Sequence, residues 1–405
     1  MRCLVGIDDT DSARGYCTTY LAYRIATDLR RECPVLPYPR LVRLNPNIPF
    51  KTRGNAAVCL QVETKNPDRT FEHLCAITTE FSDEEGGANT GLVFLQDPNL
   101  AKRLTRFYLD ALHGVVNVHR VSKFLRQHKV RFWTQGNGMG LVGAASSLAF
   151  DEEYDHTYEL ISYRKKENWG QPRDIDASSV RKMDAATFPH TFNNYDYQKR
   201  KVLIAPHGPD PVFAGVRGAS PAAVLSAFRM LAYSESLDGH MIYVSNQHTD
   251  AHLANKLDWK VYSAGWTEGR VDGVSVGPGG HVYLALRSGR IKHLCAVYEP
   301  TGDLRRVARR LREGDAVRVY GGVRKATSIH PKVLNVERLD VLKLARSHGE
   351  SGVVRGTYGA SPRANRHLTK PLIRYGNEVA GKRFREVEGW LGGEVRQMRV
   401  LARSR

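Results

Sequence analysis

The sequence predicts a multidomain α+β protein, and three observations carry that reading. Strand-like and helix-like segments alternate through about the first 260 residues. Three strand-like segments, one short amphipathic helix and two more strand-like segments then follow in order. The positive charge gathers at the end. Residues 301–405 hold 24 Lys and Arg against 10 Asp and Glu, an excess of 14 within a chain total of +18. At 405 residues, 41% hydrophobic and 25% charged, the chain can bury a large core, which argues against wholesale disorder.

Taken in order, residues 3–7 form a short apolar run that ends in acids. Residues 19–31 place Leu21, Ile25 and Leu29 at helical spacing. Residues 56–62 read as a strand, 71–81 as a helix, 91–95 as a strand, 100–112 as a helix and 156–163 as a strand. A second unit begins near Lys199. Residues 201–205 read as a strand leading into the Pro/Gly-rich stretch 206–218. Residues 221–233 form a helix with Val224, Phe228 and Leu231 on one face, its proline near the start where it is tolerated, and 241–245 form a strand.

A third unit starts near Val261. Residues 270–276 and 281–286 flank Gly277-Pro278-Gly279-Gly280, a hairpin signal. A strand at 292–297, a helix marked by Leu304, Val307, Ala308 and Leu311, and strands at 316–320 and 334–342 complete the order of an OB-fold. From Ala345 the tail is rich in Gly, Arg and Ser. The predicted divisions are therefore 1–198, 199–258, 259–344 and 345–405.

The six cysteines are at least fourteen positions apart, so the sequence holds no C-x-x-C and no local zinc site. They read as reduced thiols of a cytoplasmic protein. No apolar run approaches a membrane span, and the acids at residues 8 and 9 come too early for a signal peptide. The basic excess predicts a polyanionic partner, although a solvated basic face would carry the same composition.

The sharpest motif is Gly6-Ile7-Asp8-Asp9-Thr10-Asp11-Ser12, followed by Arg14-Gly15-Tyr16-Cys17-Thr18-Thr19-Tyr20-Leu21. Three carboxylates end a strand, and a helix opens on Thr18-Thr19. Magnesium takes one or two carboxylates plus phosphate oxygens, and a helix N-terminus offers N–H groups to phosphate. The same residues could merely cap turns. Three acids beside a glycine-containing loop favour a nucleotide site with Asp8, Asp9 and Asp11 on magnesium. The stretch from Arg40 to Asn55 sets Arg40, Arg43, Lys51 and Arg53 among Asn and Pro residues, which suits charge neutralisation on a triphosphate or an exposed basic loop.

Gly138-x-Gly140-x-x-Gly143 precedes a small-residue helix, and without a placed partner acid it reads as a tight turn or a backbone approach to substrate. Arg164 ends a strand, and Arg217 stands between Gly215 and Gly218. Asn246-Gln247-His248-Thr249-Asp250-Ala251-His252 is a polar cluster after a strand. Each suits a ligand-facing loop or plain turn chemistry.

These strings together resemble the archaeal isoleucine-tRNA 2-agmatinylcytidine synthetases, over most of the chain. The matching strings are 6–12 with 17–21, 40–55, 140–144, 157–164, 206–218, 245–253 and Arg366-His367-Leu368-Thr369-Lys370-Pro371-Leu372. The resemblance implies a kinase-like N-terminal domain, a ferredoxin-like domain and an OB-fold. It implies an ATP- and Mg2+-dependent ligase joining agmatine to carbon 2 of the wobble cytidine of isoleucine tRNA with a CAU anticodon, through a phosphorylated cytidine. The product pairs with A, so an AUA codon is read as isoleucine.

By motif, Thr18 matches the threonine phosphorylated by the γ-phosphate. Asp8, Asp9 and Asp11 match the magnesium and phosphate acids, and Lys51 lies in the basic catalytic loop. Cys17, Thr19, Arg53, Gly140, Arg164 and Arg217 are expected at the nucleotide.

Two departures stand out. The family's four-cysteine zinc ribbon has no counterpart in 345–363, so no zinc is expected. The family's G-R-G string reads Gly138-Met139-Gly140 here. Two rival functions follow: a paralogue running the same ATP chemistry on another nucleic acid or amine, and a non-catalytic OB-fold RNA-binding protein. No membrane and no obligate protein partner is expected.

Overall fold

The computed structural model describes residues 1–30, 32–52, 54–197, 199–299, 301–328, 331–345, 353, 355–359 and 389–392. Arg53, the string from Arg366 to Leu372 and most of the basic tail lie outside the described residues.

The elements in chain order are β1 (Arg2–Asp8), α1 (Thr18–Asp28), β2 (Arg40–Arg43), β3 (Ala56–Glu63), α2 (Pro67–Glu80), β4 (Gly91–Leu95), α3 (Thr105–His113), α4 (Val118–Gln127), β5 (Arg131–Thr134), α5 (Gly140–Ser147) and β6 (Thr157–Arg164). Then come α6 (Ala177–Thr187), β7 (Thr191–Phe192), β8 (Tyr195–Asp196), β9 (Lys201–Val202), β10 (Val212–Gly218), α7 (Pro221–Arg229) and β11 (Leu237–Ser245). The last group is β12 (Ala264–Val276), β13 (Val282–Ser288), β14 (Ile291–Val297), α8 (Asp303–Arg310), β15 (Ala316–Arg324), β16 (Val333–Lys343), β17 (Gly356–Tyr358) and β18 (Leu391–Gly392).

The chain is a multidomain α+β protein. Its first large body is one mixed sheet ordered β5-β4-β1-β3-β2-β11-β6-β10-β7, with β18 beside β11. Side chains alternate across a strand, and here the alternation divides two cores. Cys3, Val5 and Ile7 of β1 pack with Leu21, Ile25 and Leu29 from α1 and its C-terminal end, and with Leu74 of α2. Leu4, with Val93 and Leu95 of β4, faces Tyr108, Val121 and Ala144 of α3, α4 and α5. Helix α5 rides close on β1 because both are built of small residues there. A Cβ at Gly6 would run into the Ala144 carbonyl.

The division expected between residues 198 and 199 falls inside this sheet. Strand β6 pairs antiparallel with both β10 and β11, so 157–164 belongs beside 212–245. Strand β2 pairs antiparallel with β3 and parallel with β11, and it joins the two halves. The Pro/Gly-rich stretch also hides a central strand. In β10, Phe213, Ala214 and Val216 are fully buried, and burial outweighs the turn-forming glycines. The strand expected at 201–205 shrinks to β9, paired only with β8. Helices α4 and α6 were not anticipated.

Strands β12 to β16 form a five-stranded barrel ordered β14-β13-β12-β15-β16. It closes through a parallel pairing of β14 and β16, Cys295 opposite Leu334. Leu304 and Ala308 of α8, and Leu311 just after it, are buried in the barrel core. The hairpin glycines Gly279 and Gly280 take φ of 73° and 79°, as the glycine run predicts. Side chains tie the barrel to the sheet. Asn45 Nδ2 donates to the Tyr262 carbonyl and Asn47 Nδ2 to the Val323 carbonyl, each at 2.7 Å. His252 Nε2 lies 3.0 Å from Glu337 Oε2.

Candidate active site

Strand β1 is buried from Cys3 to Ile7 and stops where its apolar run gives way to acids. Asp9 turns the chain with φ 58°. Its N–H donates to Asp8 Oδ1 at 2.8 Å, and Thr90 Oγ1 donates to its carbonyl at 3.0 Å. Ser12 and Gly15 then close the loop with reciprocal backbone bonds of 3.1 and 3.3 Å. Asp83 holds this loop by accepting from the Ser12 hydroxyl and the Arg14 guanidinium, and Arg14 keeps its carboxyl below the usual range.

The chain enters α1 through extended Cys17, whose side chain makes no capping hydrogen bond to the first turn. Cys17 Sγ lies 3.1 Å from Thr19 Oγ1. Thr18 is buried, and its hydroxyl oxygen lies 3.0 Å from that of Thr10. Thr19 is fixed from the other half of the sheet. Tyr163 and Tyr243 donate to its carbonyl at 2.9 and 2.8 Å, with their own hydroxyls 2.7 Å apart.

Three cavities share walls and make one cleft beside this loop. One of about 340 Å³ is bounded by Cys17, Thr18, Thr19, Arg43, Glu159 and Arg217. A second, about 70 Å³, is bounded by Asp8, Asp9, Lys51, Gly140 and Gly143. Asp11, Gly54 and Ala56 line both. A third, about 660 Å³, shares Asp9, Phe50, Lys51, Val115, Val116 and Met139 with the second. The cleft thus passes from a wide mouth of mixed character, where Phe50, Val115 and Met139 stand beside Lys51, Asn117 and His119, across the acids, to the Thr18 cavity.

The acids are electrostatically strained. Burial, with the charges of Asp9 and Asp11, holds the Asp8 carboxyl well above the usual range. Burial and Asp11 push Asp9 up to about 6. The three carboxylates feel one another's charge. Yet among the described residues no set of three or more His, Cys, Asp or Glu side chains converges to hold a metal ion. The expected three-aspartate magnesium set is therefore not assembled here. Lys51 donates to the Pro46 carbonyl, and burial together with Arg324 lowers its pKa.

The glycine motif serves close packing. The Gly140 N–H donates to the Asn89 carbonyl at 2.8 Å. A Cβ at Gly140 would meet the Asp8 carbonyl, and one at Gly143 would overlap the Asp8 carboxylate. These glycines let α5 press against the end of β1.

Arg217 belongs to the cleft, where its Nη2 lies 2.8 Å from Glu159 Oε1. Arg43 approaches the other oxygen of Glu159 at 3.4 Å. Sequence reasoning met Arg43 only as one of four loop cations and passed over Glu159, which is buried. The available signal was an acid within the otherwise apolar start of β6. Arg164 is a correction. It is 1% exposed and does not line the cleft. Its guanidinium binds Glu235 at 2.7–3.1 Å and the carbonyls of Gln171 and Pro172. A cation ending a strand looks the same in sequence whether it faces a ligand or an acid of the same chain. Among the described residues no helix is long and apolar enough to cross a membrane.

Comparison with known proteins bears on this cleft. The family model described as the TiaS TCKD domain matches residues 4–66, and that of the TiaS FLD domain matches 138–252. A protein from Cenarchaeum symbiosum (strain A), named TiaS, the 2-agmatinylcytidine synthetase of isoleucine-2 tRNA, is 43% identical over 352 residues, 85% of this chain and 78% of its own. A crystal structure of TiaS in complex with isoleucine-2 tRNA and ATP superposes with TM-score 0.84 at 33% identity, covering 96% of this chain and 99% of that one. A complex of TiaS with isoleucine-2 tRNA, AMPCPP and agmatine gives TM-score 0.82 at 33% identity, covering 96% and 98%.

Proposed function

This chain belongs to the TiaS family of 2-agmatinylcytidine synthetases acting on isoleucine-2 tRNA, and we propose from that premise how its cleft carries out the reaction. The protein is an ATP-dependent enzyme that forms a carbon–nitrogen bond between agmatine and the wobble cytidine of that tRNA. ATP occupies the cleft from its wide mouth to the acids, with Lys51 near its phosphates. Thr18 receives the γ-phosphoryl group. The cytidine oxygen on carbon 2 is activated as a phosphoester by a phosphoryl group that ATP supplies, and the agmatine nitrogen then attacks that carbon, loses a proton and expels phosphate. Arg43 and Arg217, both held on Glu159, serve the anionic groups in the Thr18 cavity.

One observation carries this reading: Thr18 lines the cavity that shares Asp11 with the acid cavity.

Magnesium fits one or two of these carboxylates better than all three. Asp8 and Asp9 would hold it, because both carry unfavourable charge that a cation relieves, and Gly143 leaves the Asp8 carboxylate room. Bound there, it would neutralise phosphate charge. In the same reading the first unit is kinase-like, the region around β6, β10 and β11 is ferredoxin-like, the barrel is an OB-fold that binds RNA, and the protein is cytoplasmic.

The experiment is incorporation of labelled agmatine into an unmodified isoleucine tRNA transcript, with and without ATP. ATP-dependent label in the tRNA is expected. Absence of label, with ATP turnover stimulated by another RNA or supporting another amine, would replace this reading with that of a paralogue.

A further inference from the structure

In the Thr18 cavity one buried hydrogen-bond acceptor stands apart from the machinery described so far. Asn193, in the turn between β7 and β8, is 3% exposed and lines the cavity. Its Nδ2 lies 3.2 Å from His248 Nε2 and 3.5 Å from Nδ1. The imidazole is itself buried and set edge-on to the Phe192 ring, with centroids 5.4 Å apart. With Nδ2 taken by the imidazole, Oδ1 is left on the other branch of the amide, and it is buried with no hydrogen-bond partner among the described residues. A buried acceptor without a partner costs free energy, so one that persists on a residue lining a cavity points to a ligand that satisfies it.

The backbone supports this. Asn193 and His248 both hold left-handed conformations, φ 59° and 69°. Such strain persists where the surroundings over-determine it. The polar cluster at 246–250 now gains a purpose. Asn246 clamps the Arg43 backbone, accepting from its N–H at 2.7 Å and donating to its carbonyl at 2.9 Å. His248 orients Asn193. One loop thereby sets two walls of the cavity.

The unmet groups are of opposite kinds. Arg43 Nε and Arg217 Nε are buried donors lacking partners among the described residues, whereas Asn193 Oδ1 is an acceptor. The cavity's buried carboxylates are already engaged, Glu159 with those arginines and Asp210 with Arg173. We propose that Asn193 is a specificity-determining residue whose Oδ1 accepts an N–H from the substrate held in the Thr18 cavity, with His248 as its positioning partner. That donor is either a nitrogen of the cationic amine or the 4-amino group of the target cytosine. The inference rests on the function proposed above.

Asn193→Gly tests it, because glycine adopts φ near 59° without strain while removing the acceptor. Asn193→Asp retains an acceptor oxygen and should rescue. Asn193→Ala, which also lacks an acceptor, is a second variant carrying the same expectation as glycine should glycine not fold. Full-length protein is assayed with ATP, agmatine and the isoleucine tRNA transcript, with thermal melting alongside. Asn193→Gly should raise either the KM for agmatine or the Kd for tRNA by about tenfold or more. A change in agmatine KM assigns the donor to the amine, and a change in tRNA Kd assigns it to the cytosine. Both constants staying within about twofold of wild type, or Asn193→Asp losing as much as Asn193→Gly, would overturn the proposal. Wild-type protein failing to incorporate agmatine at all would instead defeat the underlying reading.

Discussion

The hydroxyl oxygens of Thr18 and Thr10 lie 3.0 Å apart, both buried, although eight positions separate them. Thr10 belongs to the acid loop and Thr18 to the first turn of α1, so this contact locks the hydroxyl to the acids. Thr10→Val keeps the shape and removes the partner. It should leave thermal stability within about 1 kcal/mol. Phosphorylation of Thr18 by ATP should slow by roughly tenfold to a hundredfold, because a misaligned nucleophile loses its near-attack geometry. Single-turnover phosphate transfer measures this, and an unchanged rate would remove Thr10 from the account.

Asp9 links stability to pH. Its carboxyl is pushed from 3.8 to about 6 by burial and by Asp11. The folded chain therefore keeps a proton that the unfolded chain releases in that window. The stabilisation is complete below pH 3.8 and is lost as pH rises through about 6, at most ~3 kcal/mol. Asp9→Asn should raise the melting temperature of the ligand-free protein at pH 8 and abolish ATP turnover. Melting curves at pH 5 and pH 8 check it, and the stability gain should shrink at pH 5.

Gly143→Ala offers a sign test. In an ordinary helix interior this change stabilises by about 1 kcal/mol. Here the new Cβ would overlap the Asp8 carboxylate. Overpacking should outweigh propensity and destabilise by about 1–3 kcal/mol. Activity should fall with it, since α5 must retreat from the acids. A denaturant midpoint that rises would contradict the packing.

Arg164 separates support from binding. Its pair with Glu235 is 1% and 11% exposed. Arg164→Ala should cost about 3–5 kcal/mol by stranding the largely occluded Glu235 carboxylate. The KM for ATP in the protein that remains folded should stay near wild type. A KM raised tenfold with stability intact would return Arg164 to the nucleotide.

The acid loop and Thr18 were legible in the sequence because one short unbroken stretch holds strand end, turn and helix start. The barrel was legible because its strands follow one another and its hairpin glycines sit where φ must be positive. Arg43, Glu159 and Arg217 were harder. They come from β2, β6 and β10, which meet only through the sheet order. Strand β10 was obscured by glycines whose turn propensity yields to burial between β6 and β7. Asn193 carries no motif at all. Its distinction is a missing partner, visible only once the surrounding chain is in place.

The most direct test of the central claim is the intact mass of the wild-type protein and of Thr18→Ala after incubation with ATP and magnesium. A gain of one phosphoryl group in the wild type and none in Thr18→Ala, with agmatine incorporation lost in the variant, is predicted. Equal agmatine incorporation by both proteins would contradict the claim that the cleft works through Thr18.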